Sequence, residues 1–98
     1  MPTEHELVAS GDVVITHKIG LHARPSVKLT KLAKQFRSSI RLRGENGTDW
    51  VNAKSINKVM ALKVKMGERL SFEADGPDAD DAVGALVDLV RRNFDEPK

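Results

Sequence analysis

The apolar residues of this chain change their period from one segment to the next, and that change limits the folds open to it. In Ser39-Ile40-Arg41-Leu42-Arg43, and again from Arg69 to Ala74, they alternate with period two, the pattern of a strand with one covered and one wet face. Pro25, Leu29, Leu32, Ala33 and Phe36 recur instead along one helical face, as do Ala82, Leu86, Leu89, Val90 and Phe94. Val13-Val14-Ile15-Thr16 is β-branched and predicts a first strand, with Gly11-Asp12 as a turn or bulge ahead of it. The spacing predicts helices over 23–36, 56–63 and a last one opening at Asp78. Gly44-Glu45-Asn46-Gly47 tolerates positive φ, so Asp49 to Ala53 can return as a hairpin partner. The order is β-α-β-β-α-β-α.

Short strands joined partly by a hairpin and partly by helices suit an α+β fold, a two-layer open-faced sandwich. We expect a four-stranded antiparallel sheet with three helices on one face. A length of 98 residues supports one core and not two. With no cysteine, disulfides and thiolate metal sites are excluded and stability rests on packing. The domain is expected over 8–94, with a flexible polar tail over 1–7 and a C-terminal tail over 95–98. The apolar runs are only a few residues long, and Met1 to Glu6 has no basic patch followed by an apolar stretch. No membrane association is expected.

Chemistry concentrates in Gly20-Leu21-His22-Ala23-Arg24-Pro25. A histidine stands there at the mouth of a helix, with proline in the first turn, where no intrahelical hydrogen bond is lost. The first-turn N–H groups and the positive end of the helix form an anion site around the imidazole of His22. Arg24 adds a planar donor fork suited to phosphate, and a charge-assisted bond of that kind contributes about 1.5–3 kcal/mol. An imidazole is also a nucleophile towards phosphorus. A helix-capping histidine beside an arginine can equally be structural.

The same six residues resemble the active-site signature of the histidine-containing phosphocarrier (HPr) family of the bacterial phosphoenolpyruvate-dependent phosphotransferase system. Asn52-Ala53-Lys54-Ser55-Ile56, with Val59-Met60 and Leu62, is similar to that family's regulatory-serine region. Gly76-Pro77 before an acidic, Ala-rich helix resembles its last segment. The resemblance implies a stoichiometric phosphoryl carrier rather than a turning-over enzyme. His22 would accept a phosphoryl group on Nδ1 from phosphorylated enzyme I and pass it to a histidine of an enzyme IIA-type domain, with Arg24 stabilising the phosphate. Ser55 would be the target of an HPr kinase/phosphorylase; read from its position alone, it is a helix cap contributing about 1 kcal/mol. Ala23, Ile56 and Met60 match the family's apolar contact patch, and Lys28 joins them from the basic stretch. No cofactor and no metal are implied, and a cytoplasmic monomer is expected.

The charge layout fits docking. Net charge is only +2, yet between Thr16 and Arg43 there are eight basic residues and no acidic one, while acids gather from Glu73 to Asp81. Steering towards an acidic partner follows. Asn57 and Lys58 make the second helix more polar than in many relatives, and the Gly44 to Thr48 turn carries a slight insertion. These features resemble a proteobacterial protein of a regulatory, nitrogen-related branch. Nucleic-acid binding is not expected, because Phe36, Trp50, Phe72 and Phe94 are the only aromatics besides histidine and most fall at core positions. A regulatory domain binding an amino acid between chains would need an apolar dimer edge, which is not apparent. His5, His17 and His22 share no helical face, so they predict no metal site.

Overall fold

The computed structural model describes residues 8–47 and 49–96. The tail expected over 1–7 lies outside the described residues, as do positions 48, 97 and 98. The elements are β1 (Val8–Val14), α1 (Ala23–Ala33), β2 (Ser39–Gly44), β3 (Val51–Asn52), α2 (Ile56–Ala61), β4 (Arg69–Asp75) and α3 (Ala79–Arg91). They form one antiparallel sheet in the order β1-β4-β2-β3. The open-faced α+β sandwich expected from the periodicity is what forms.

Alternation decides the layers. Leu70, Phe72 and Ala74 of β4 and Ile40 and Leu42 of β2 point to the helices and are buried. They meet Leu29 and Ala33 of α1, Val59 of α2, and Ala82, Leu86, Leu89 and Val90 of α3. Burying a Leu or Phe side chain of this kind stabilises by about 1.5–3 kcal/mol. On the other face Arg41 pairs with Glu73, and Trp50 lies beneath the guanidinium groups of Arg41 and Arg43, 5.0 and 4.7 Å from its ring centre. The indole is therefore already stacked. Phe72 and Phe94 are fully buried. Among the described residues no helix is long and apolar enough to cross a membrane.

Besides β1 ending at Val14 rather than Thr16 and β3 shrinking to Val51–Asn52, four boundaries differ from the sequence expectation. Gly11-Asp12 is neither turn nor bulge: β1 runs unbroken from Val8, with Gly11 opposite Phe72. The glycine is needed because α3 crosses there, where a Cβ would come within 2.8 Å of Val83 Cγ1. α1 stops at Ala33, three residues early, and its last turn tightens as the Gln35 and Phe36 N–H groups donate to the Leu32 and Ala33 carbonyls. α2 ends at Ala61, and Lys63 leaves it with φ 52°. The fourth difference concerns the C-terminus. Asp95 and Glu96 are not tail: Asn93, Phe94 and Asp95 make a left-handed turn, with φ of 57°, 56° and 58°, that folds the chain back onto the domain. Burial of Phe94 holds this turn against the steric cost that β-carbons impose there.

Asp78, read as a first-turn acid, occupies the N-cap of α3 without capping it through its side chain. Its carboxylate accepts instead from the Arg37 and Ser38 N–H groups and from the Ser38 hydroxyl, at 2.9, 2.9 and 2.6 Å, tying the α1–β2 loop to α3. These donors, the Ser38 hydroxyl foremost, lower its pKa from 3.8 to about 2. A carboxylate depressed in the folded state stabilises fully above its unfolded value and loses that contribution as pH falls through the folded one. Thermal melts of the parent and Asp78→Asn should therefore differ most above pH 4 and converge towards pH 2. A gap independent of pH would show that ionisation of Asp78 plays no part.

Candidate functional site

Past β1, the Ile15 N–H still donates to the Glu68 carbonyl at 2.9 Å, after which the chain turns tightly, with Gly20 N–H on the His17 carbonyl at 3.0 Å. Gly20 has φ +85° and passes so close to the next segment that a Cβ would lie 2.4 Å from the Val64 carbonyl oxygen. Leu21 N–H then donates to that same oxygen at 2.8 Å. The two contacts pin the approach to α1 and place His22 at its N-cap.

His22 caps with its backbone alone: its carbonyl accepts from Ser26 N–H at 2.9 Å, and its side chain makes no cap bond. The ring is thus left at the helix mouth. Ala23 and Arg24 supply first-turn N–H donors without intrahelical acceptors, and Pro25, buried beside them, has no donor to satisfy. The imidazole is half-buried, and its Nε2 is closed off from solvent without a hydrogen-bond partner among the described residues. Arg24 extends outward, its side chain 72% exposed, so the guanidinium can swing.

Two residues outside the predicted phosphoryl site, His17 and Glu96, complete the surroundings. His17 is buried, with its ring centre 5.1 Å from that of His22. Its Nδ1 accepts from Ile19 N–H at 3.3 Å, which assigns the ring proton to Nε2, and Nε2 donates to Glu96 Oε1 at 2.9 Å. Glu96 reaches there because of the left-handed turn, and its side chain is only 6% exposed. Its Oε2 lies 3.2 Å from Lys28 Nζ and 3.7 Å from Arg24 Nε, ion-pair distances without hydrogen-bond alignment. The His17 N–H, then the lysine, hold the Glu96 carboxyl below its usual pKa. Lys28 also donates to the Phe94 carbonyl at 2.8 Å. The only local signal for this turn is Asn93 and Asp95, residue types that tolerate left-handed backbone.

These groups open onto a hollow of about 530 Å³ lined by His17, Ile19, His22, Arg24, Met66 and Glu96. Ile19 and Met66 are 68% and 57% exposed and give it an apolar rim. Of the expected contact patch, Ala23 and Met60 are exposed and Ile56 is half-buried. Ser55 caps α2, its hydroxyl 3.5 Å from Lys58 N–H.

Residues 9–92 match the family model described as the phosphorylation site of the phosphotransferase-system HPr component. The chain belongs to the HPr family of phosphocarrier components. It is 45% identical to the phosphocarrier protein HPr of Cupriavidus necator over 85 residues, covering 87% of this chain and 93% of that protein. It is 37% identical to the phosphocarrier protein NPr of Escherichia coli, covering 86% and 92% of the two chains. Among solved structures, an HPr from Thermoanaerobacter tengcongensis superposes with a TM-score of 0.84 at 38% identity, over 92% of this chain and 99% of that one. HPr folds thus share the sandwich described above.

Proposed function

We propose that this HPr-family protein carries a phosphoryl group on His22 Nδ1, taken from phosphorylated enzyme I and delivered to a histidine of an enzyme IIA-type domain. The observation that carries the reading is the half-buried ring at the mouth of α1, with Nε2 shut away and the side chain free of any capping bond. With Nε2 enclosed, Nδ1 is the nitrogen left to meet an incoming phosphorus. In each transfer the donor's N–P bond breaks as the Nδ1–P bond forms, and the donor imidazole leaves with the electron pair. Such an exchange depends on close, in-line approach more than on covalent machinery.

The Ala23 and Arg24 N–H groups and the guanidinium of Arg24 receive the added negative charge. Glu96 balances Arg24 and Lys28 before it arrives. Lys28 supports the carrier through this anchoring as well as through its charge. Exposed Ala23 and Met60, half-buried Ile56 and the basic residues of α1 form the docking face for acidic partners in the cytoplasm, where the carrier acts as a monomer without a cofactor. Incubation with purified enzyme I and labelled phosphoenolpyruvate tests the reading. One acid-labile phosphate per chain is expected, and an unlabelled chain beside a labelled, active enzyme I overturns it.

Ser55 is a second modification site on this reading, open to an HPr kinase/phosphorylase. A phosphoserine adds about −1.5 to −2 charge at a helix N-cap, a position that accommodates it without unfolding. The Lys58 N–H contact at 3.5 Å is long, so Ser55→Ala should lower stability by only about 0.5 kcal/mol, the low end for a lost cap. Mass spectrometry after kinase treatment should place the phosphate on Ser55, and phosphate on any other serine or threonine refutes the assignment.

A further inference from the structure

Three side chains from distant parts of the chain converge beside the phosphoryl site. His17 is 8% exposed and the Glu96 side chain 6%, and among the described residues His22 Nε2 is a buried polar atom without a hydrogen-bond partner. One ligand atom from each of His17, His22 and Glu96 lies within 4.8 Å of the other two. We propose that these three residues form a binding site for a divalent zinc-type cation, occupied in place of phosphoryl acceptance.

The geometry needs little adjustment. Tetrahedral zinc, with bonds of about 2.0–2.2 Å, holds its ligands roughly 3.4 Å apart. His17 Nε2 and Glu96 Oε1 are already 2.9 Å apart, and rotation of the His22 ring brings in the third ligand. Two imidazole nitrogens and one carboxylate oxygen suit zinc, copper(II) or nickel and not magnesium or calcium. Water from the adjoining hollow supplies the fourth ligand. On binding, His17 moves its ring proton from Nε2 to Nδ1 and gives up the 3.3 Å contact with Ile19 N–H, so no net proton is lost. Lys28 and Arg24 face Glu96 Oε2 and oppose the cation, which takes Oε1 and binds more weakly than at a four-ligand structural site. The set is illegible in the sequence, where the three histidines argue against a metal site and Glu96 reaches His17 only through the left-handed turn.

The consequence for transfer rests on the Nδ1 reading above. A neutral imidazole has one basic nitrogen. When Nε2 of His22 gives its electron pair to the metal, Nδ1 carries the proton and has no pair with which to attack phosphorus. Metal and phosphoryl acceptance therefore exclude one another.

Calorimetric titration of the full chain with zinc chloride tests the site without any phosphotransfer. The parent and His5→Ala should show one saturable site, with a Kd on the order of 10 μM, and calcium should show none. His17→Asn and Glu96→Gln should each weaken zinc at least tenfold; circular dichroism establishes that at least one of them is folded. Nitrogen-15 NMR should move the ring signals of both His17 and His22 and turn His22 Nδ1 into a protonated nitrogen. Absence of saturable binding, or zinc binding unchanged in the folded variants, overturns the site. A bound state in which His22 Nδ1 stays unprotonated overturns the exclusion. Because neither readout uses enzyme I, failure of the carrier reading is seen separately.

Discussion

Replacing His22 by alanine should abolish phosphoryl uptake, reducing acid-labile label from enzyme I and phosphoenolpyruvate by at least about a thousandfold. Among the described residues no neighbour can substitute. His17, whose ring is 5.1 Å away, is buried, with Nδ1 on the Ile19 N–H and Nε2 on Glu96. The fold should survive, because His22 caps α1 through its carbonyl and its ring makes no capping bond. A stability change within about 0.5 kcal/mol is expected, as for a substitution that removes neither core volume nor a hydrogen bond. Loss of label in a variant with the parent's melting curve assigns the effect to chemistry. Label retained on His22→Ala, or found on His17, refutes the site.

Gly20→Ala should have the largest effect on stability of any single methyl group added near the site. At φ +85° a β-carbon costs about 1–2 kcal/mol. Here it would also stand 2.4 Å from the Val64 carbonyl oxygen, which is backbone, and which the Leu21 N–H holds in place at 2.8 Å. That contact has to open. A total of roughly 2–4 kcal/mol follows, and with it a fall in melting temperature of about 10–25 °C for a domain of this size. The Gly20 carbonyl accepts the His22 N–H at 3.0 Å, so the helix mouth shifts too and phosphoryl uptake slows in the chains that remain folded. A melting curve within 3 °C of the parent would show that the loop relaxes freely and that its tightness does not position His22.

The legible parts of this protein are those encoded within one turn or one pleat. Alternation in Ser39–Arg43 and Arg69–Ala74 reports which side chains face the helices, and Leu42, Leu70 and Phe72 are fully buried as that pattern requires. Ser55 before Ile56 marks a helix start because its hydroxyl can reach an N–H three residues on. His22 at the mouth of α1 is legible for the same reason, since Pro25 fits without penalty only in a first turn. Gly11 misled because glycine suits both a turn and a close crossing; the choice lies with Val83, 72 positions further along. The end of α1 at Ala33 is not legible, because Phe36 continues the apolar stripe although the backbone has already tightened into a turn.

By itself, then, the amino-acid order determined the succession of strands and helices, the identity of the histidine at the helix mouth and the basic stretch around it. Each of these depends on steric and hydrogen-bonding preferences acting over about four residues. Only the tertiary structure decided the strand order β1-β4-β2-β3, the glycine cleared for α3, and the clasp between His17 and Glu96, which lie 79 residues apart in sequence. That clasp depends on a left-handed turn that three non-glycine residues adopt against their local preference. Burial of Phe94 and the anchoring of Lys28 on its carbonyl outweigh that preference, and neither contact exists until the core has assembled.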